Sequence, residues 1–587
     1  MKKKNEWKFK EINKNTFDTL KQSMPNVSDH IISLFAIRNI KTRKEAENFI
    51  NPNIENLYDP YLMSDMDKAT YRIKEAIEKN ESILIYGDYD VDGTTSVAML
   101  WEFLNYLHLQ KWNDKKKNNL SFYIPNRFKE GYGVSQNAIQ KAIDESIDLI
   151  ITVDCGIKDV TSIQKAEDSA IDVIVCDHHE PGEVLPDCYA ILNPKKEICS
   201  YPFKDLSGCG VAFKLIQALL IAFKLPNEKA FEYLDYVVIS TVADVVSLTG
   251  ENRILAWKGL EKINNNPAAF VKALSHPDVL SSNNMVTAID IGFKIAPLIN
   301  AAGRMEDAKT AVEFFIAAPS KRKEILEELV QLNKERREID KSISLEANAI
   351  LKKHPIHADN KSIVLYSKDW HIGTVGIVAS RMIDRYYKPT FILTEIDKDI
   401  YSGSGRSIPG LNLVEVLEKQ ADKLLSFGGH YFAAGLRIHA DNLESFAETF
   451  EADVDLLLKE EDMVPNLDID VKIELGKITD SLANTLKRFE PCGQDNPSPI
   501  FASEKIPMRN IHYELIKEEH LKLFIKTPGE NTVSKRLVAM GFNLAEDFKQ
   551  LQLTKDDYID IAYAITENVY KSQKSTQLRI IDIKKSQ

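Results

Sequence analysis

The sequence predicts an α/β protein: a parallel sheet near the start, a long helix, a second α/β segment and a small C-terminal β-barrel. Three observations predict it. From about residue 79, near-continuous Val/Ile/Leu runs alternate with helical stretches, as strands do when helices cover both faces of their sheet. A charged stretch of helical composition then runs unbroken from 319 to 354. Beyond about 456 the chain favours short β runs with a basic, polar finish, which fits a barrel.

Taken in order, residues 1–78 read as a helical segment packing on the parallel-sheet domain, with turn signals at "NPNIENLYDPY" (51 to 61). Within 79–317 the strands "SILIYG" (82 to 87), "DLIITVDCG" (148 to 156) and "DVIVCDHH" (172 to 179) each run into acids, glycine or histidine. "LIQALLIAFKL" (215 to 225) has the length of a buried helix and not of a membrane span. Residues 318–355 read as a connecting helix with Ile325, Leu326, Leu329 and Leu332 on its apolar stripe. A second α/β domain is expected over 356–455. The remainder, 456–587, includes "HLKLFIKT" and "YIDIAYAI" and reads as an OB-fold. At 587 residues, several domains are required in any case.

Composition narrows the class without deciding the partner. The chain is 44% hydrophobic and 28% charged, as ordinary globular proteins are. Its start, "MKKKNEWKFKEI", has basic residues with no apolar stretch behind them, and no run of about 18 apolar residues occurs. Six cysteines without a C-x-x-C pair read as reduced core or turn residues, and argue against a zinc site. A cytoplasmic protein is expected, with no membrane partner. A net charge of −12 weighs slightly against a nucleic-acid partner, but a local basic channel can coexist with an acidic exterior.

Chemistry concentrates where the strands end. "YGDYDVDGTTS" places Asp88, Asp90 and Asp92 at alternate positions before Gly93, and three such carboxylates repel one another unless something positive holds them. A calcium loop starting at Asp88 needs a Glu at its twelfth position, where Met99 stands, and a strand precedes it in place of a helix. Asp154 closes a second strand, and Asp177, His178 and His179 follow a third. Adjacent histidines on an extended chain point to different sides, so at most one of the two faces the acids. Asp244 lies within the apolar "STVADVVSL" and needs a partner. Singly, each of these reads as a solvated turn or a core polar residue. Together Asp90, Asp92, Asp154, His178 and Asp244 make an oxygen-rich set with one imidazole, suited to manganese or magnesium more than to zinc. Two ions sharing a carboxylate would neutralise the cluster and activate a water for attack on phosphorus.

These residues, in this order, resemble the DHH phosphoesterase superfamily, whose motif stands here as Asp177-His178-His179. The resemblance covers nearly the whole chain, through "IPNRFKEGYG", "LSGCGVAFKL", "NAAGRM", "HIGTVGIVASR", "SGSGRS", "FGGHYFAAGL" and "PCGQDNPSPIF". It is most specific for the single-strand-specific 5′→3′ DNA exonucleases of that superfamily. It implies a DHH domain, a DHHA1 domain and a nucleic-acid-binding OB-fold. It further implies two Mn2+ or Mg2+ ions, with Asp90 and Asp92 as ligands, Asp154 bridging, His178 and Asp244 completing the set, and Asp88 close to the metals. His179 is expected toward the substrate phosphate or a neighbouring partner. Gly428, Gly429 and His430 are expected to let a nucleotide approach the backbone. Ser404, Arg406 and Arg304 match a pattern for gripping a terminal 5′-phosphate, as guanidinium groups do bidentately. Arg127 and Tyr132 are expected against the strand backbone or a base.

The resemblance implies hydrolysis of single-stranded DNA to 5′-mononucleotides in DNA repair and recombination. The strand would enter between two lobes, and a monomer would work alongside a helicase or single-strand-binding protein. One departure stands out: the family commonly has arginine where Leu298 follows Ala296-Pro297, which removes one possible phosphate contact. Two rival readings exist: a short-oligonucleotide or cyclic-dinucleotide phosphodiesterase of the same superfamily, and a non-catalytic single-strand-binding relative. The segment from 456 on weighs against the first, and the complete acid set against the second.

Overall fold

The computed structural model describes residues 5–113, 115–280, 285–353, 360–527, 535–570 and 573–586. The chain divides into two compact units, one of residues 48–335 with 489–497, the other of residues 1–47, 336–488 and 498–587.

The first unit is built on five parallel strands: β1 (Ile83–Gly87), β2 (Leu120–Tyr123), β3 (Leu149–Val153), β4 (Asp172–Cys176) and β5 (Ala190–Leu192). Their spatial order is β2-β1-β3-β4-β5. Every residue of β1 and β3 is buried, which is why these segments read as unbroken apolar runs. The chain leaves β1 toward β2 on one side and returns as β3 on the other, so the order reverses between β1 and β3. Ligand crevices form outside the carboxyl ends of strands at such a switch point. Asp88 follows β1 directly and Asp154 follows β3.

Helices cover the sheet. Among them, α1 (Val91–Trp112), α2 (Gly208–Ala222) and α3 (Leu234–Ala243) are largely buried and belong to one core with residues of β1 and β3. A further helix, α4 (Ala296–Met305), buries Leu298, Ile299, Ala301 and Ala302. The chain leaves this unit within α5 (Pro319–Lys353), the helix foreseen for 318–355.

The second unit holds two sheets of three or more strands among its described residues. One contains β6 (Ile363–Ser367), β7 (Thr390–Asp397), β8 (Ile400–Arg406), β9 (Leu424–His430) and β10 (Ala433–His439) in the order β9-β10-β8-β7-β6. Only β6 and β7 pair in parallel. Against β6 to β8 packs α6 (Val375–Tyr386). The other contains β11 (Phe501–Pro507), β12 (Ile511–Ile516), β13 (His520–Thr527), β14 (Lys535–Gly541), β15 (Tyr558–Tyr570) and β16 (Gln573–Lys585). Its order is β11-β15-β16-β14-β13-β12, with the two-residue strand Val471–Lys472 paired in parallel with β11 beyond it. A helix lies between β14 and β15, and β14 pairs with β16 in parallel. These strands and the helix between β14 and β15 make up the OB-fold domain expected here.

The reading of residues 1–78 as a helical segment packing on the parallel-sheet domain requires two corrections: residues 1–47 group with the second unit, and Glu6–Phe9 is a strand, paired in parallel with Asn466–Ile469. Four mostly exposed residues whose partner lies some 460 positions away carry no local signal. All six cysteines are free. Among the described residues no helix is long and apolar enough to cross a membrane.

Candidate metal centre

Asp90 caps the amino end of α1, its side chain accepting from the amides of Asp92 and Gly93 at 2.8 and 3.1 Å. A short polar residue serves a helix start in this way. Gly93 answers why glycine follows the acids: a Cβ there would sit 2.3 Å from the carbonyl oxygen of Asp88. Asp92, in the first turn of α1, lies at the amino end of α2. Its two oxygens accept from the amides of Gly208 and Cys209, both at 2.7 Å, and from the Ser240 hydroxyl at 2.7 Å. Asp92 thereby ties α1, α2 and α3 together, and a carboxylate retains lone pairs for a cation beyond these bonds.

Asp154 stands after β3 with φ +62°, a backbone conformation uncommon for any residue but glycine. Gly208 presses against it, and a Cβ at 208 would lie 2.7 Å from the Asp154 Cβ. After β4, the Nε2 of His178 lies 3.1 Å from Asp154 Oδ1, 3.5 Å from Asp244 Oδ2 and 3.7 Å from Asp92 Oδ2. Asp244 is supplied by the end of α3.

Three groups of ligand atoms result, each within 4.8 Å: Asp88, Asp90 and Asp154; Asp92, His178 and Asp244; and Asp154, His178 and His179. The third group shares Asp154 with the first and His178 with the second, so the first two are adjacent, linked by the 3.1 Å approach of Asp154 Oδ1 to His178 Nε2. Burial, reinforced by the neighbouring carboxylates, pushes Asp88, Asp154 and Asp244 well above the usual carboxylate range. Burial holds the His178 imidazole below its ordinary value and so favours its neutral form. Asp88 Oδ1, Asp154 Oδ1 and His178 Nε2 are all buried without a hydrogen-bond partner. Inward-facing acceptors without a donor are costly, and cations relieve that cost. The donor set, five carboxylates and one imidazole, fits hard divalent ions.

Asp177, the first residue of the motif, faces away from these sites. It is wholly buried and accepts from the amides of Ile157, His178 and His179 at 3.0, 2.7 and 3.1 Å. It also meets His179 Nδ1 at 2.8 Å. Burial alone would raise its carboxyl, but the His179 hydrogen bond and charge bring it down to about 2. His179 is accordingly raised: burial opposes its charging, and Asp177 outweighs burial. Tyr132 completes the chain, its hydroxyl 3.0 Å from His179 Nδ1. Arg127 lies over the Tyr89 ring at 4.9 Å, and burial pushes the Tyr89 phenol up to about 12.

In the other unit, Arg406 Nη1 donates to Ser404 Oγ at 2.8 Å. Gly376, in the first turn of α6, leaves the room they occupy: a Cβ there would lie 3.2 Å from both Arg406 Nη2 and Ser404 Oγ. A helix amino end, a guanidinium and a hydroxyl together suit a phosphate. Gly428–His430 form the exposed end of edge strand β9. Gly428 has open space above it, whereas a Cβ on Gly429 would lie 2.4 Å from the Ala433 carbonyl oxygen.

Four contributors escaped the sequence reading: the structural task of Asp177, the Ser240 hydroxyl, the Gly208–Cys209 amides and Gly376. "LSGC" before an apolar helix is an N-cap signal that could have flagged the amides. Leu298 also reads differently now. It is 1% exposed in the core beneath α4, so its side chain packs inward and faces no phosphate.

A parallel-sheet domain with this cluster at its switch point defines a DHH-type phosphoesterase, and family profiles agree. The DHH family N-terminal domain matches residues 82–241, the DHHA1 domain 359–455 and the RecJ OB domain 469–582. The chain is 35% identical over 581 residues to the single-stranded-DNA-specific exonuclease RecJ of Bacillus subtilis, covering 98% of this chain and 70% of that protein. To the Escherichia coli protein of the same name it is 31% identical, over 94% of this chain and 95% of that one. It superposes on the Thermus thermophilus RecJ–Mn2+ crystal structure with TM-score 0.81 at 24% identity, covering 100% of this chain and 80% of that one. A second structure, exonuclease RecJ bound to manganese, gives TM-score 0.58 at 30% identity, over 69% of this chain and 96% of that one. The chain belongs to the RecJ family.

Proposed function

We propose that the chain is a metal-dependent 5′→3′ exonuclease that degrades single-stranded DNA to 5′-mononucleotides, serving DNA repair and recombination. One observation carries the proposal: two ligand groups lie side by side, Asp154 of one 3.1 Å from His178 of the other, with three buried acceptor atoms left unpaired. Asp88, Asp90 and Asp154 would hold one Mn2+ or Mg2+, and Asp92, His178 and Asp244 the other, with Asp154, 3.1 Å from His178, placed to serve both. Such ions supply positive charge for developing negative oxygens and acidity for a nucleophilic water.

The chain's own residues do the rest. Asp177 fixes the ring of His179 and keeps a proton on Nδ1. The opposite edge of that ring is thereby aimed away from Asp177, toward a substrate phosphate. Tyr132, half exposed beside His179, offers a hydroxyl and a ring to the strand, and Arg127 and Arg304 add positive charge on the same unit. Ser404 and Arg406 hold the terminal 5′-phosphate at the amino end of α6, and the bare backbone at Gly428 gives a nucleotide room. The OB barrel adds affinity for single strands. A monomeric, cytoplasmic enzyme acting beside a helicase or a single-strand-binding protein completes the reading.

Digestion of a long 5′-phosphorylated single strand, labelled at either end, with Mn2+ and a blunt duplex as control, tests it. Early release of labelled mononucleotide from the 5′ end with the duplex spared is expected. An inert long strand beside rapid dinucleotide cleavage would overturn the reading.

A further inference from the structure

The helical run that leads into Arg304 is irregular for a definable reason. Ala288–Asp290 is α-helical, Ile291–Ile295 forms a π turn, and Ala296–Met305 resumes the α-helix. The amide of Ala296 reaches back five residues to the Ile291 carbonyl. Pro297 explains the widening, because proline has no N–H for the Phe293 carbonyl four residues earlier, and its ring crowds that position. Such π turns recur at functional sites.

The turn sorts the side chains. Ile291, Ile295, Leu298, Ile299 and Ala302 are buried. On the opposite face Ile289 is 54% and Phe293 76% exposed, and partly exposed Pro297, Asn300 and Arg304 continue the stripe at three- and four-residue spacing. An exposed aromatic alone carries no message. This one, however, adjoins Gly292, where an added Cβ would lie 3.8 Å from Val242, two residues before Asp244. One helix face thus runs from a bare aromatic to a guanidinium, and at the guanidinium end a Cβ on neighbouring Gly303 would lie 2.8 Å from the carbonyl oxygen of Tyr89, which stands between Asp88 and Asp90. The eleven residue steps from Phe293 to Arg304 span about 16 Å of helix, several times the roughly 3.4 Å that a stacked nucleotide occupies.

We propose that Phe293 is a stacking site for a base of the single strand, on the same face whose far end, Arg304, meets a phosphate. This rests on the exonuclease reading above. A strand fits the stripe because it alternates flat π faces with anionic groups, matching an aromatic and a cation held on one rigid element. Stacking on Phe293 makes the enzyme favour strands long enough to reach it.

The test uses the full chain carrying Asp154→Asn, with Mg2+ and 5′-phosphorylated strands bearing 2-aminopurine at successive positions. Phe293→Ala should weaken strand binding by about 5- to 150-fold and abolish the fluorescence quenching at one strand position. Phe293→Trp should restore both. Tyr71→Ala, which removes another exposed aromatic of the same unit, should leave both unchanged. Unchanged affinity and quenching in a folded Phe293→Ala protein would overturn the inference while the exonuclease reading stood. Failure of the Asp154→Asn parent to bind single strands would overturn both. If Phe293→Ala instead split a dimer without altering strand binding, the stripe would be a self-association surface and the inference wrong.

Discussion

Replacing Gly208 by alanine tests how the centre is held together. The added methyl would lie 2.7 Å from the Asp154 Cβ, 2.9 Å from its Oδ1 and 3.0 Å from its Cα. Ordinary van der Waals contact begins at 3.4 Å, so the start of α2 and Asp154 must separate by roughly 0.7 Å. Asp154 follows a fully buried strand in a left-handed backbone conformation, and the Gly208 amide is bonded to Asp92. Neither side yields freely. Overpacking of this kind costs about 1–3 kcal/mol, and displacements approaching 1 Å at a reacting centre cost about 10²-fold in rate. The expected result is a loss of about 10²-fold in kcat/KM on 5′-labelled single strands, with a raised Mn2+ requirement. Gly182→Ala, which meets only ordinary contacts at 3.6 Å, should keep wild-type thermal stability. Full activity of Gly208→Ala with an unchanged Mn2+ midpoint would refute the idea that α2 positions the shared carboxylate.

Asp154→Ala should abolish turnover, and metal-dependent hydrolysis surviving it would remove Asp154 from the bridging role. Saturating Mn2+ should raise the melting temperature, since binding at a hundred times Kd adds about 2.7 kcal/mol per site; a melt unmoved by EDTA or Mn2+ would contradict the cation account. Arg406→Lys should erase most of the preference for 5′-phosphate over 5′-hydroxyl ends in initial rates, because lysine cannot grip bidentately; an unchanged preference would place end recognition elsewhere. Asp65 accepts from buried Lys196 at 2.8 Å; burial would raise its carboxyl, but Lys196 and Lys68 hold it below 3.8. A depressed folded value means stability present above the unfolded value and lost as pH falls through the folded one. Asp65→Asn, which tolerates the left-handed backbone there, should therefore cost about 1–3 kcal/mol near pH 7, and progressively less as pH falls through the depressed folded value, read from urea melts.

Most of the catalytic unit was legible because its signals are local. Buried parallel strands write themselves as apolar runs, and the acids follow at the strand ends, so Asp88, Asp90, Asp92, Asp154 and His178 could be collected without knowing the strand order. Asp244 was legible as an acid too costly to bury alone. What escaped depends on who meets whom. Nothing in "STVAD" says that Ser240 donates to Asp92 from 148 positions away, and nothing in "LSGC" says whose carboxylate its amides meet. Asp177 belonged to a motif, yet only geometry separates an acid that orients a histidine from one that faces a cation. Leu298 was legible as a departure from the family's usual arginine, and only the helix shows that its own side chain enters the core. The strand at Glu6–Phe9 was illegible because its partner, 460 residues on, supplies all its pairing.

The central claim is that two ions share Asp154, and electron paramagnetic resonance of the Mn2+-loaded chain tests it most directly. The account predicts two Mn2+ per chain with an exchange-coupled spectrum, replaced by uncoupled Mn2+ in Asp154→Asn. A single uncoupled ion per wild-type chain at saturation would contradict it.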